Sequence, residues 1–162
     1  MFNDRHDAGK KLALKLESYR GKDAVVLALP RGGVVTGFEV ASALSLPLDI
    51  IAIRKIGHPD SPEYAIGAVD DQGVTTMDDM RVRTIDPAWL QAETARQQKE
   101  AARRSTVYRT GRKPIDVEGK IAIIVDDGLA TGLTMRLAVR IVKRQRPEKI
   151  IVAVPVGPSE SL

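Results

Sequence analysis

Short apolar runs recur along the chain and predict buried strands. They are Ala24–Leu29, Leu48–Ile53, Ile121–Val125 and Ile150–Val154, and the one charged residue among them is Asp49. Such runs are too short for helices and too uniform for strands with one face in water. Strands that are buried on both faces are typical of parallel sheets.

Segments with apolar residues near helical spacing separate these runs. The predicted helices cover Asp7–Arg20, which ends at Gly21, Val34–Leu44, Pro87–Tyr108 and the segment after Thr134. Strands that alternate with helices predict an α/β fold, here an open, mostly parallel twisted sheet with helices on both faces.

The segment between the second and third long predicted helices has a different pattern. Tyr64–Val69 and Val74–Met77 flank an Asp-Asp-Gln-Gly turn, which predicts a small β-hairpin beside the main sheet. Ile56–Tyr64 is rich in Gly, Pro, Asp and Ser, which predicts a loop. We expect this loop to be mobile and to cover the binding site. His58 and Glu63 are the candidate acid or base groups of that loop.

Two acids follow the strand Ile121–Val125 directly. In open α/β sheets ligands bind outside the carboxyl ends of the strands, so we expect Asp126 and Asp127 to face a crevice. Such carboxylates can hold sugar hydroxyls or a hydrated Mg²⁺ ion.

A glycine- and threonine-rich loop comes next and leads into a helix. Gly128 and Gly132 permit backbone conformations that a side chain would forbid. The free N–H groups of the helix start, with the hydroxyls of Thr131 and Thr134, could hold a phosphate. The alternative is a strand, an acidic turn and a helix cap without a ligand, because Thr is a good N-cap and Asp-Asp-Gly a good turn.

A second turn of the same kind follows the strand Ala24–Leu29. Gly32 and Gly33 let the backbone approach an oxyanion, and Arg31 can make a bidentate contact with phosphate oxygens. Arg54 and Lys55 are predicted to lie at the end of the strand Leu48–Ile53, where two cations could neutralise a leaving group. A solvated strand end is the alternative for those two residues.

Composition limits the class of protein. The 162 residues are 43% hydrophobic and 28% charged, which predicts one domain over residues 1–162. The chain has no cysteine and two histidines, so thiolate chemistry is excluded and a metal should be a hard cation on oxygen ligands.

The charge balance gives weaker information about partners. The net charge of +4 comes from 25 basic and 21 acidic residues, and aromatic residues make up 4% of the chain. A mild positive excess suits a phosphorylated small ligand, whereas the shortage of aromatic residues argues against nucleic acid as a partner. No apolar run approaches ~18 residues and the N-terminus is polar, so we expect a cytoplasmic protein without a membrane partner.

The helix Pro87–Tyr108 carries many basic residues, namely Arg96, Lys99, Arg103 and Arg104. We interpret it as a solvated helix in which Glu100 pairs with Arg104, rather than as a nucleic-acid-binding face. Its apolar ends, at Trp89, Leu90 and Val107, are compatible with a homodimer.

Three motifs together resemble the type I phosphoribosyltransferase family, and in particular a bacterial group whose substrate is unsettled. They are L-A-L-P-R-G-G, I-A-I-R-K-I-G-H-P-D-S-P-E-Y-A-I-G-A-V and I-I-V-D-D-G-L-A-T-G-L-T. The resemblance covers nearly the whole chain and implies a Rossmann-like fold. It also implies transfer of a phosphoribosyl group from Mg²⁺-bound 5-phosphoribosyl-1-diphosphate (PRPP) to a nucleobase or similar nitrogen acceptor, as in nucleotide salvage, with release of diphosphate.

The resemblance also implies roles for individual residues. Asp126 and Asp127 would hold the ribose hydroxyls and Mg²⁺, directly or through water, and Arg31 with Gly32 would hold the diphosphate. Arg54 and Lys55 would support its charge. The 5′-phosphate would lie against the loop made of Ala130, Thr131, Gly132, Leu133 and Thr134.

The chain departs from the family pattern in several places. Leu133 replaces a frequent second glycine, and Gly128 replaces a larger apolar residue. Ala130 stands where 6-oxopurine phosphoribosyltransferases carry an aspartate that accepts a proton, so the sequence does not favour hypoxanthine or guanine. The sequences of that bacterial group also continue for several tens of residues after V-A-V-P-V, whereas the present sequence ends before that continuation. A non-catalytic, PRPP-binding regulatory module is therefore the alternative function, whereas the absence of G-x-x-x-x-G-K-[ST] excludes a P-loop hydrolase.

Overall fold

The computed structural model describes residues 2–130 and 132–157, and its centre is a four-stranded parallel sheet. The strand order is β2-β1-β6-β7, and the strands are β1 (Ala24–Ala28), β2 (Leu48–Ile50), β6 (Ile121–Val125) and β7 (Lys149–Ala153). The helices are α1 (Arg5–Lys15), α2 (Gly32–Leu44), α3 (Asp79–Val82), α4 (Pro87–Arg109) and α5 (Leu133–Arg144), with a 3₁₀ turn at Glu17–Tyr19. The predicted α/β architecture is confirmed.

Alternate side chains of the parallel strands point to opposite faces of the sheet. Val25 and Leu27 pack on one face against α5 and part of a second sheet. Val26 and Val125 pack on the other face against α1 and α2. Because both faces are covered, the strands are mostly apolar, as parallel strands usually are, and the charged residues Asp49 and Lys149 lie in the outer strands β2 and β7.

The second sheet is antiparallel and has the strand order β3-β4-β5. Its strands are β3 (Ile53–His58), β4 (Ser61–Asp70) and β5 (Thr75–Met77). The hairpin predicted around the Asp-Asp-Gln-Gly turn is therefore β4–β5, and it belongs to a larger sheet than expected.

The prediction of one strand over Leu48–Ile53 was wrong. β2 ends at Ile50, and the chain then enters β3 at Ile53. Both sheets bury this crossing: Ile50, Ile51, Ala52 and Ile53 are all at most 8% exposed. As a consequence Arg54 and Lys55 lie inside an antiparallel strand and not at the carboxyl end of a parallel one.

The prediction of a loop over Ile56–Tyr64 was also wrong. This segment forms the ends of β3 and β4 and a tight turn between them, with an irregular register at Gly57. A side chain at Gly57 would overlap the Pro62 carbonyl, so the close approach of the two strands explains that glycine.

Helix α4 begins and ends in contacts that fix its position. Asp86 caps it by accepting a hydrogen bond from the Trp89 amide at 3.0 Å, as the Asp-Pro start predicts. At its last turn Arg109 donates to Asp49 Oδ1 at 3.2 Å and to the Ile50 carbonyl at 3.0 Å, which ties the helix to β2. Within the described residues, no helix is both long and apolar enough to cross a membrane.

Candidate active site

The two predicted binding turns lie side by side because their strands are neighbours in the sheet. Ala28 is opposite Val125 in the β1–β6 pair, and the Leu29 amide donates to the Val125 carbonyl at 3.0 Å. Gly33 therefore packs directly on the end of β6, where a Cβ atom would lie 2.9 Å from the Val125 carbonyl oxygen. A Cβ atom at Gly32 would overlap the Asp127 carboxylate, so the turn and the acid lie in direct contact.

Asp126 is the more buried of the two acids. Burial, with a smaller effect of the neighbouring Asp127, raises the pKa of Asp126 to about 7. Its Oδ1 atom accepts a hydrogen bond from the Asp127 amide at 2.8 Å, which fixes the orientation of the carboxyl group. An acid with this pKa ionises more readily when a cation binds beside it.

Asp127 lies nearer the surface and pairs with the first helix. The distance from Arg5 Nε to Asp127 Oδ2 is 2.7 Å, and the two side chains are 61% and 30% exposed. An exposed ion pair of this kind is weak and can exchange partners when a ligand binds.

The loop after these acids leads to the start of α5, as predicted. Gly132 has a φ of +74° and precedes the first helical residue, Leu133, whose side chain is buried while Thr134 is half-buried. Within residues 2–130 and 132–157 no side chain caps this helix start, so on that part of the chain the first amides of α5 are available to an anion. Thr131, which we also expect in the phosphate site, lies outside the described residues.

A cleft borders the acids and this loop. Its volume is about 550 Å³, and it is lined by Asp127, Gly128, Leu129, Ala130, Val156 and Gly157. The Leu129 amide donates to the Val156 carbonyl at 3.0 Å, so the segment after β7 forms the second wall of the cleft.

Arg31 extends from the other turn. It is exposed, it precedes the first residue of α2, and the peptide bond that joins it to Pro30 is cis. Its guanidinium makes no ion pair within residues 2–130 and 132–157, so it is available to an anionic ligand.

Arg54 lies beside this region on β3 and has a neutral partner. Its Nε atom donates to Gln97 Oε1 on α4 at 3.1 Å. Burial lowers the pKa of Arg54, and the positive charges of Arg104, Arg96 and Arg31 add to that effect. Arg54 and Arg31 therefore repel each other electrostatically.

Lys55, the next residue, points to the other side of β3 and pairs with a residue at the start of β4. Its Nζ atom lies 2.9 Å from Glu63 Oε2, and the Glu63 side chain is 96% exposed. Glu63 is therefore a partner of Lys55 in this state. His58 Nδ1 accepts a hydrogen bond from the Asp60 amide at 3.2 Å at the hairpin turn.

The donor set fits Mg²⁺ only in combination with a substrate. In the described part of the chain, no three acidic or histidine side chains cluster as a metal site. Mg²⁺ is commonly bound by one or two carboxylates together with substrate phosphates, so Asp126 and Asp127 are suitable ligands once a diphosphate is present.

Sequence analysis missed two residues of this region. Arg5 is far from Asp127 along the chain, and no local pattern indicates their contact. Gln97 is 7% exposed, and its amide links Arg54 to Glu93 Oε1, which accepts from Gln97 Nε2 at 2.8 Å. A glutamine on the mainly polar α4 carries no signal of burial.

Comparison with known proteins assigns the family. The family model of the phosphoribosyl transferase domain matches residues 3–162, and the chain therefore belongs to that family. A Mycobacterium tuberculosis (strain H37Rv) protein named "Putative phosphoribosyl transferase" is 44% identical over 162 residues. The match covers 99% of this chain and 37% of that protein, so the chain spans little more than a third of its curated relative.

Solved structures agree with the fold. The crystal structure of TT1426 from Thermus thermophilus is 40% identical, with a TM-score of 0.78, and the match covers 99% of this chain and 77% of that one. A hypoxanthine phosphoribosyltransferase from Staphylococcus aureus is 13% identical with a TM-score of 0.58, covering 98% of this chain and 65% of that one. At that identity the likeness concerns the fold alone, which is that of type I phosphoribosyltransferases.

Proposed function

We propose that the chain transfers the 5-phosphoribosyl group from Mg²⁺-bound PRPP to a nucleobase or a similar nitrogen acceptor, and releases diphosphate. The observation that carries the proposal is the packing of Gly32 against the Asp127 carboxylate. The turn proposed for the diphosphate is therefore in direct contact with an acid proposed for the ribose. PRPP itself carries its diphosphate on the ribose ring.

The three parts of PRPP correspond to three parts of the site. The 5′-phosphate would bind the loop from Ala130 to Thr134, where helix α5 presents its first amides. The ribose hydroxyls would bind Asp126 and Asp127, and the diphosphate would bind the Arg31–Gly33 turn.

The chemistry requires charge to be stabilised on the leaving group. The bond between the anomeric carbon and the diphosphate oxygen breaks, the electron pair leaves with the diphosphate, and the acceptor nitrogen bonds to the carbon. Mg²⁺, held by Asp126 and Asp127 directly or through water, would neutralise part of the diphosphate charge. Arg31 and Arg54 would supply further positive charge, and Lys55 would do so once its exposed ion pair with Glu63 exchanges.

The acceptor is less defined than the donor. Ala130 is exposed in the phosphate loop and cannot accept a proton, which does not favour a 6-oxopurine. The curated relative extends over a much longer chain, so groups that bind its acceptor can lie outside the segment it shares with this one.

A diphosphate-release assay tests the proposal. The purified chain is incubated with PRPP and Mg²⁺ against a panel of purine and pyrimidine bases, and released diphosphate is measured. Release that depends on one base would support the transferase and name the acceptor. PRPP binding without release for any base would instead support the alternative, a non-catalytic regulatory module.

A further inference from the structure

A cavity on α4 shares Arg54 and Gln97 with the region described above and is otherwise separate from it. Its volume is about 430 Å³, and its lining consists of Arg54, Arg96, Gln97, Lys99, Glu100 and Arg103. Four of these six side chains are cationic and one is acidic, which is an unusual concentration of one charge around a small space.

The acids near this cavity do not balance its cations. Glu100 is shared between Arg103 at 2.8 Å and Arg104 at 2.9 Å, and these two hydrogen bonds lower the pKa of Glu100 to about 2. Glu93 pairs with Arg96 at 2.7 Å. Lys99 has no ion-pair partner within the described ranges, so the lining keeps an excess of positive charge.

Arg54 lines the cavity and makes no ion pair within the described residues. Its described hydrogen bond is to the neutral amide of Gln97; Arg104 and Arg96 act on it as like charges, and Glu100 offsets them in part. A half-buried guanidinium without a carboxylate partner is stabilised when an anion enters beside it.

We propose that this cavity is a second oxyanion site, which takes phosphate or diphosphate. Its size suits a small polyanion, and guanidinium groups match the geometry of phosphate oxygens. Arg54 lines the cavity and, under the proposed function, also supports the charge of the diphosphate at the Arg31 turn, so the same cation would serve the leaving diphosphate in both places. This use for the leaving diphosphate rests on the proposed function, whereas the oxyanion site itself does not.

Calorimetric titration of inorganic diphosphate, without Mg²⁺, tests the site. The variant Arg96→Gln/Lys99→Gln/Arg103→Gln should bind diphosphate at least about tenfold more weakly than the natural chain. The control Lys10→Gln/Lys15→Gln/Lys22→Gln removes the same charge from exposed positions near α1 and should stay within about threefold. Equal weakening in both variants, or none in either, would overturn the proposal.

A second variant changes the affinity in the opposite direction, so a loss of α4 stability cannot imitate the expected result. Glu100→Gln removes the one carboxylate of the lining and releases Arg103 and Arg104, so diphosphate should bind several-fold more tightly. Unchanged or weaker binding would contradict the proposal.

A titration with PRPP, read together with the diphosphate titrations, separates this proposal from the proposed function. If PRPP fails to bind but the three cations still govern diphosphate affinity, the transferase assignment fails and the cavity stands. If PRPP binds and the triple variant has the same diphosphate affinity as the natural chain, only the proposal for the cavity is refuted. In a turnover assay, diphosphate inhibition that weakens in the triple variant assigns the cavity to the leaving group, whereas unchanged inhibition assigns it to a separate phosphorylated molecule.

Discussion

Arg5 Nε donates to Asp127 Oδ2 at 2.7 Å, and this contact joins the first turn of α1 to the acid pair at the end of β6. The guanidinium occupies a carboxylate that a hydrated Mg²⁺ or a ribose hydroxyl would need. Arg5 therefore competes with the ligand that we propose for Asp127.

Replacing Arg5 by glutamine should remove that competition. We expect the Mg²⁺ concentration for half-maximal PRPP binding to fall about threefold, since an exposed ion pair of this kind is weak. Calorimetry at several Mg²⁺ concentrations measures the effect. Arg20→Gln is the matched control, because Arg20 also pairs through Nε with an acid, Glu17, but far from the site; an equal effect in both variants would contradict the competition.

Substituting Gly32 by alanine should separate folding from binding. The new Cβ would overlap the Asp127 carboxylate, which is the end of a flexible side chain and can move. The fold should survive, while the displaced acid weakens PRPP binding at least about tenfold.

Gly128→Ala is the comparison for that experiment. A Cβ atom there would lie 3.3 Å from Val156 Cγ2, which is tight but needs only a small shift. We expect PRPP affinity within about twofold of the natural chain. Equal PRPP affinity in the two alanine variants would show that the contact between Gly32 and Asp127 is not needed for binding.

The raised pKa of Asp126 predicts how stability depends on pH. The folded pKa of about 7 lies above the ordinary value of 3.8, so the folded state holds a proton that the unfolded state releases. This contribution is fully present below pH 3.8 and is progressively lost as the pH rises to about 7, above which it stays constant.

Asp126→Asn should abolish this dependence. We expect a free energy of unfolding about 1 to 2 kcal/mol higher than that of the natural chain at pH 8, after allowance for solvent screening, and no difference near pH 4. Denaturant unfolding at pH 4, 5.5 and 8 measures it. A difference that is the same at all three pH values would mean that Asp126 ionises normally in the folded chain.

Lys55 should act on the leaving group and not on binding alone. Lys55→Gln is expected to lower the rate of diphosphate release by about 10²-fold, the usual loss when one charge-stabilising donor is removed. Glu63→Gln breaks the same ion pair but keeps the cation, so its rate should stay within about twofold. If the two variants lose the same activity, the pair positions the hairpin and Lys55 has no separate role.

The acid pair and both glycine turns could be predicted because each follows directly on an apolar strand. The environment of Arg54 and Lys55 could not, because the chain passes from one buried sheet into another between Ile50 and Ile53 without a polar residue to mark the change. Hydropathy reports burial and does not identify the sheet that provides it.

The hairpin turn near Gly57 was missed for a related reason. Glycine and proline usually mark loops, but here Gly57 and Pro62 allow two strands to approach at an irregular register. The contact between Arg5 and Asp127 depends on the finished fold, since 122 positions separate the two residues. Three points stay predictions: the homodimer, the single domain over residues 1–162 and the role of Mg²⁺.

The most direct test of the central claim is calorimetric titration of PRPP into the natural chain and into Asp126→Asn/Asp127→Asn, with and without Mg²⁺. We predict saturable, Mg²⁺-dependent binding to the natural chain and its loss in the variant, with the fold of the variant intact. Equal binding to both proteins, or no binding to the natural chain, would contradict the assignment of this acid pair to PRPP.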